Sequence, residues 1–141
     1  QVALLQTQGN PDGHVILRGG KTPNYSAEDV KDVEQQMEKA KLVPKLVVDC
    51  SHGNSSKDHT RQPIVASDIF DQICDGNQSI MGIMLESHLV EGNQPSSLPK
   101  DEMRYGVSIT DACINWADTE QLLEQGASQI RDALRLRNQN K

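Results

Sequence analysis

Lys45–Cys50 reads KLVVDC, an apolar, β-branched run that closes on an aspartate and leads directly into Ser51 and His52. Two runs of the same kind lie on either side of it, HVILR at His14–Arg18 and SIMGIMLES at Ser79–Ser87. None of the three alternates apolar with polar residues. Near-continuous apolar character predicts strands covered on both faces, the situation in parallel sheets. Each strand is followed by a stretch of helical period, so the predicted order is βαβαβα and the fold class α/β. Parallel neighbours joined by helices require right-handed crossovers. Both a doubly wound sheet and part of a barrel satisfy that requirement.

The helices can be placed by their start and stop signals. The first is predicted to open near Ser26, whose hydroxyl can cap together with Asp29, and to set Ala27, Val30, Val33, Met37 and Ala40 on one face. The second should start at Pro63, a residue suited to the first helical position, carry Val65, Ile69 and Ile73 inward, and stop by Gly76. A third should open at Asp118 with Leu123, Ile130 and Leu134 inward and Trp116 as a packing anchor. Ahead of the first strand, Val2–Leu5 and the turn-rich GNPDG at Gly9–Gly13 suggest a short extra strand or hairpin. Arg135 to Lys141 is expected to fray.

Bulk properties narrow the function. The chain has 141 residues, enough for one domain, and is treated as a single segment, 1–141. Its 35% hydrophobic and 3% aromatic content, with a mean hydropathy of -0.59, is lean for a self-contained core. A net charge of -6 argues against a nucleic-acid surface. No apolar run long enough for a membrane span is present. Three cysteines without a CxxC pair fit reduced thiols, so a cytoplasmic protein is expected.

The chemistry gathers at the strand ends. The first ends in Arg18-Gly19-Gly20, the second in Asp49-Cys50-Ser51-His52, the third in Glu86-Ser87-His88. Carboxyl ends of parallel strands share one rim, where ligands bind in α/β folds. Arg18 before two glycines offers a fork for a phosphate or carboxylate; equally, it can pair with an acidic neighbour while the glycines make the turn. His52 and Glu86 suit a divalent ion, although a lone histidine is more often structural. Asp111, within YGVSITDAC (Tyr105–Cys113), can reach the same rim as an oxygen ligand, or serve as a helix cap or turn residue. Leu89 to Tyr105, with Glu91 and Asn93 just after His88, is too long for an ordinary connection and reads as a lid or as a surface insertion. His14 and His59 read as surface or structural.

The strings HVILRGG (His14–Gly20), PNYS (Pro23–Ser26), DCSHGNSSKD (Asp49–Asp58), GIMLESHLVEGNQ (Gly82–Gln94) and YGVSITDACINW (Tyr105–Trp116) closely resemble, in order and spacing, the successive motifs of the class I 3-deoxy-D-arabino-heptulosonate-7-phosphate (DAHP) synthases. The resemblance runs from about residue 8 to 135. It implies the last three βα units of a (β/α)8 barrel and a condensation of phosphoenolpyruvate with erythrose 4-phosphate and water, giving DAHP and inorganic phosphate at the head of the shikimate pathway.

It also implies a divalent cofactor such as Mn2+, Fe2+ or Co2+. By motif position the metal ligands would be His52, Glu86 and Asp111. Arg18 would contact the phosphoenolpyruvate phosphate, His52 would lie beside that substrate as the catalytic residue, and Asp111 would also touch substrate. The family's fourth ligand, a cysteine, and its lysine and arginine motifs for phosphoenolpyruvate belong upstream of Gln1; Cys50, Cys74 and Cys113 match none of them. An isolated 141-residue chain is therefore expected to be inactive, and a homo-oligomer is expected for the whole enzyme. Two other readings stand beside this one: a non-catalytic α/β domain that binds a phosphorylated metabolite or metal, and a half-barrel that pairs with itself or with a separate chain.

Overall fold

The computed structural model describes residues 2–10 and 12–139. Three strands, β1 (Val15–Leu17), β2 (Leu46–Asp49) and β3 (Ile80–Met84), form one parallel sheet in the order β1-β2-β3. Each falls within one of the apolar runs. Helix α1 (Ala27–Lys39) joins the first pair and α2 (Gln62–Cys74) the second. The register between β2 and β3 slips at Leu46/Val47, so that Asp49 stands opposite Met84 at the carboxyl rim.

Helix α1 starts where the sequence places it. Ser26 Oγ accepts from the Asp29 amide while Asp29 accepts from the Ser26 amide, a complete capping box. Val30 and Met37 are buried and Val33 packs beside them, whereas Ala27 and Ala40 remain exposed at the helix ends. Between helices and sheet lies the core, built from Leu17, Leu46, Val48, Ile80, Val65, Ala66 and Ile69, all 3% exposed or less. The opposite face of the sheet is open: Ile16 is 55% and Met81 56% exposed.

Several expectations are corrected. No strand or hairpin forms at Val2–Leu5; Val2, Leu4 and Leu5 are exposed and meet no partner strand among the described residues. Pro11 of the GNPDG turn lies outside the described residues. The third helix, α3 (Trp116–Gln139), opens two residues earlier than expected, and Asn115 rather than Asp118 caps it by accepting from the Asp118 amide at 2.9 Å. Ile130 and Leu134 pack against the core as expected, but at the start of the helix Leu122 is buried in place of Leu123, and Trp116 is an exposed side chain rather than an anchor. The expected fraying from Arg135 is overturned too. Helix α3 continues to Gln139, with Arg137 donating to the Ile80 carbonyl at 2.8 Å; Asn140 and Lys141 lie outside the described residues.

The third apolar run does not stay in one strand. After Met84 the chain leaves the sheet, and four short strands follow: β4 (Ser87–His88), β5 (Val90–Asn93), β6 (Val107–Ser108) and β7 (Ile114–Asn115). They pair in parallel as β4 with β7 and β5 with β6. The long stretch from Leu89 to Tyr105 is thus anchored at both ends. Buried Gln94 adds a tie by donating to the Arg104 and Val107 carbonyls. Among the described residues no helix is long and apolar enough to cross a membrane.

Candidate functional site

The carboxyl ends of β1 and β2 are locked together by a tight backbone crossing. Gly19 has φ +72, and its amide donates to Asn24 Oδ1 at 2.7 Å. The Gly53 amide donates to the Arg18 carbonyl at 3.1 Å. Asn54, fully buried, donates to the carbonyls of Leu17 and Asp49 and accepts from the Asn24 amide. The turn after β2 carries His52, Ser56 and Lys57 at positive φ, a conformation uncommon for residues with a side chain. The Lys57 amide donates to the His52 carbonyl at 2.8 Å and holds that turn closed. Such over-determined strain is a frequent companion of functional positions.

Out of this frame the sequence-nominated side chains meet. His52 Nε2 lies 3.5 Å from Glu86 Oε1 and 3.6 Å from Asp111 Oδ2. One ligand atom from each of the three lies within 4.8 Å of the other two. Glu86 is fixed through its backbone: its amide donates to Gln62 Oε1 at 2.8 Å, and its carbonyl accepts from Gln62 Nε2 at 3.0 Å. Its Oε2 accepts from Ser51 Oγ at 3.0 Å, which aims Oε1 at His52. Asp111 arrives on the segment between β6 and β7, held by the reciprocal Gly92–Cys113 backbone pair, and its side chain is 69% exposed.

Arg18 stands on the other side of His52. Its Nε is 3.8 Å from Asp49 Oδ2, the same oxygen that His52 Nδ1 approaches at 2.8 Å. A cavity of about 330 Å³ spans the group, lined by Arg18, Gly19, Gly20, His52, Glu86 and Asp111 among others. Lys57 and His59 also line it. The sequence alone presents His59 as a surface or structural residue and carries no signal for Lys57. Both come to the cavity because the strained turn folds back over the rim, and no spacing pattern announces that. His14 stays exposed, and His88, which donates no ligand atom to the cluster, accepts the Leu89 amide.

An imidazole and two carboxylates form the donor set expected for a hard or borderline divalent ion. The residues present therefore fit a metal. Cys50 is a poor additional ligand. Burial, and then the charge of Asp49, push its thiol up to about 12, and its Sγ turns to the Val48 carbonyl.

The sequence profile of the DAHP synthetase I family matches residues 1–124. The chain belongs to that family. It is 62% identical over 137 residues to the Tyr-sensitive phospho-2-dehydro-3-deoxyheptonate aldolase of Enterobacter agglomerans, covering 97% of this chain and 64% of the relative. Identity to the Tyr-sensitive enzyme of Escherichia coli K12 is 65% over 125 residues, covering 89% of this chain and 35% of the relative. A solved phospho-2-dehydro-3-deoxyheptonate aldolase from Francisella tularensis SCHU S4 superposes with a TM-score of 0.85 at 44% identity, over 92% of this chain and 37% of that one. The chain thus spans between about a third and two thirds of the relatives it matches.

Proposed function

We propose that this segment supplies the metal-binding and phosphate-binding side of a DAHP synthase active site, in which phosphoenolpyruvate and erythrose 4-phosphate condense with water to DAHP and inorganic phosphate. The observation that carries this reading is the meeting of His52, Glu86 and Asp111 beside Arg18 in a chain of this family.

The architecture proposed with it is a sector of a (β/α)8 barrel, with residues 1–141 as one segment holding three βα units. Strand order β1-β2-β3 follows the chain without reversal, and right-handed crossovers then put both intervening helices on one face. A doubly wound sheet needs a reversal of order, and its ligand sits there. The open face bearing Ile16 and Met81 suits the interior of a closed barrel, whose active site lies at the carboxyl rim.

In this reading His52, Glu86 and Asp111 hold a divalent ion such as Mn2+, Fe2+ or Co2+, which when bound polarises the aldehyde oxygen of erythrose 4-phosphate as a Lewis acid. Arg18 binds the phosphate of phosphoenolpyruvate, its planar fork matching two oxygens at once. Lys57, on the same cavity wall, adds a second positive charge toward a triply anionic substrate. His52 is placed between the two subsites and contacts phosphoenolpyruvate on the Arg18 side. Asp111, exposed at the cavity mouth, reaches a substrate oxygen from the opposite side.

The test is product formation by a family protein of full length carrying this segment, with His52→Ala, Glu86→Ala and Asp111→Ala compared singly. Each variant should lose activity together with tight binding of the divalent ion. Undiminished turnover and metal binding in all three would overturn the assignment.

A further inference from the structure

Asp49 is unusual among the acidic residues of this rim. Its side chain is 2% exposed, and it contributes no atom to the His52–Glu86–Asp111 cluster. Both of its oxygens are nevertheless committed. Oδ1 accepts from the Ser51 amide at 2.8 Å, while Oδ2 faces His52 Nδ1 at 2.8 Å and Arg18 Nε at 3.8 Å.

A neutral imidazole carries a proton on one ring nitrogen and a lone pair on the other, and only the lone pair binds a metal. The distances decide where the proton goes. A contact of 2.8 Å to Asp49 is a full hydrogen bond, whereas Glu86 and Asp111 stand at 3.5 and 3.6 Å from Nε2, beyond the ordinary range. With the proton on Nδ1, the Nε2 lone pair points at the two carboxylates that complete the cluster.

We propose that Asp49 is a positioning residue that sets the tautomer and ring orientation of His52, presenting Nε2 as the metal-binding atom. This rests on the metal-site reading above. Carboxylate–imidazole–metal relays of this kind raise ligand basicity and fix the ring, and losing the carboxylate typically weakens metal affinity tenfold to a hundredfold.

Asp49→Asn separates this role from mere strand-end packing. The substituted side chain is nearly isosteric, and its carbonyl oxygen stays on the Ser51 amide. Its NH2 then faces Nδ1 and donates to it. The imidazole proton is driven to Nε2, the atom meant for the metal.

Two measurements on a full-length family protein carrying this segment test the proposal. Imidazole nitrogen NMR of the metal-free protein, at a pH well above the ordinary histidine range, should give Nδ1–H for wild-type His52 and Nε2–H for Asp49→Asn. Co2+ titration followed by its d–d absorption should show an affinity lower by roughly tenfold or more in the variant, with a changed band shape. A wild-type ring protonated on Nε2 overturns the proposal without reference to any variant, and so does a variant that keeps the wild-type tautomer and affinity. The NMR arm needs no metal. A full-length wild-type protein that shows Nδ1–H yet holds no Co2+ would sink the metal-site reading and leave the orientation by Asp49 supported.

Discussion

Gly19 and Gly53 cross with their backbones in contact. A Cβ on Gly19 would stand 2.5 Å from the Gly53 carbonyl carbon, and one on Gly53 would stand 2.7 Å from that of Gly19. Real Cβ atoms do not come so near, and the obstacle on each side is backbone rather than a side chain that can swing away. The crossing brings the residue before Gly19, Arg18, beside the residue before Gly53, His52. The separation of the anion and metal subsites is therefore set by two missing side chains. Gly53→Ala should push the loops apart and lower stability by about 1–3 kcal/mol, as overpacking does. Gly19→Ala should cost more, since its φ of +72 is also unfavourable for alanine. Thermal unfolding of both variants, with Co2+ titration of whatever folds, would check this. An unfolding curve that matches wild type for both would show that the crossing is loose.

Gln62 carries the position of Glu86. It is fully buried at the start of α2, and its amide satisfies both the N–H and the C=O of Glu86. Gln62→Ala would orphan two backbone groups, each worth about 1–3 kcal/mol when left buried without a partner. We expect a loss of about 2 kcal/mol or more in denaturant unfolding, and weaker metal binding because Glu86 is no longer aimed. Gln62→Glu should not rescue it, since a carboxylate cannot donate to the Glu86 carbonyl. Stability within about 0.5 kcal/mol of wild type for Gln62→Ala would contradict the expectation.

Much of this site could be read directly because its chemistry sits at the ends of apolar runs. Arg18, His52 and Glu86 each follow a strand whose near-continuous hydrophobicity marks it as parallel, and the rule that carboxyl ends share a rim does the rest. Asp111 can be placed near the rim by its position after the third strand, but a lone aspartate in a loop reads equally well as a cap or turn residue, and the family strings are what favour the ligand. The supporting residues were hidden for physical reasons. Gln62 and Asn54 act through side-chain amides that bridge segments 24 and 37 residues apart, and polar residues so placed look in sequence like any helix start or turn. The short strands β4 to β7 escaped because two- to four-residue strands show no repeat. The apolar Val2–Leu5 suggests a strand or hairpin in sequence because composition cannot say whether a partner edge lies alongside.

The thiols should sort by burial. Cys74 is exposed, while burial raises the Cys50 thiol to about 12 and raises that of Cys113 as well. Alkylation acts on the thiolate, so at mildly alkaline pH the native chain should take one label, at Cys74, and three in denaturant. The same shift predicts a pH effect. A folded value above the ordinary 9.0 means that folding binds the proton more tightly than the unfolded chain does. The stability contributed by Cys50 is thus complete below about 9.0 and drains away as pH rises toward 12. Cys50→Ala should flatten the alkaline fall in denaturant midpoint. An unchanged slope would show that other groups govern it.

Arg18 provides the most direct test of the anion subsite. Its guanidinium lies at the cavity wall, and its orientation is guided by Asp49 Oδ2 at 3.8 Å. In a full-length family enzyme, Arg18→Ala should weaken phosphoenolpyruvate by about 2 kcal/mol or more, the cost of a lost charge-assisted contact, which is roughly 30-fold in affinity. Arg18→Lys keeps the charge but replaces the planar fork with a point donor, so it should recover only part of that loss. Metal affinity should hardly change in either variant, because Arg18 gives no atom to the His52–Glu86–Asp111 cluster. Steady-state kinetics with phosphoenolpyruvate varied, alongside Co2+ titration, separates the two subsites. If KM and kcat for phosphoenolpyruvate stay at wild-type values in Arg18→Ala, the anion assignment is wrong. If metal affinity falls together with substrate affinity, Arg18 acts through Asp49 and His52 rather than on the phosphate.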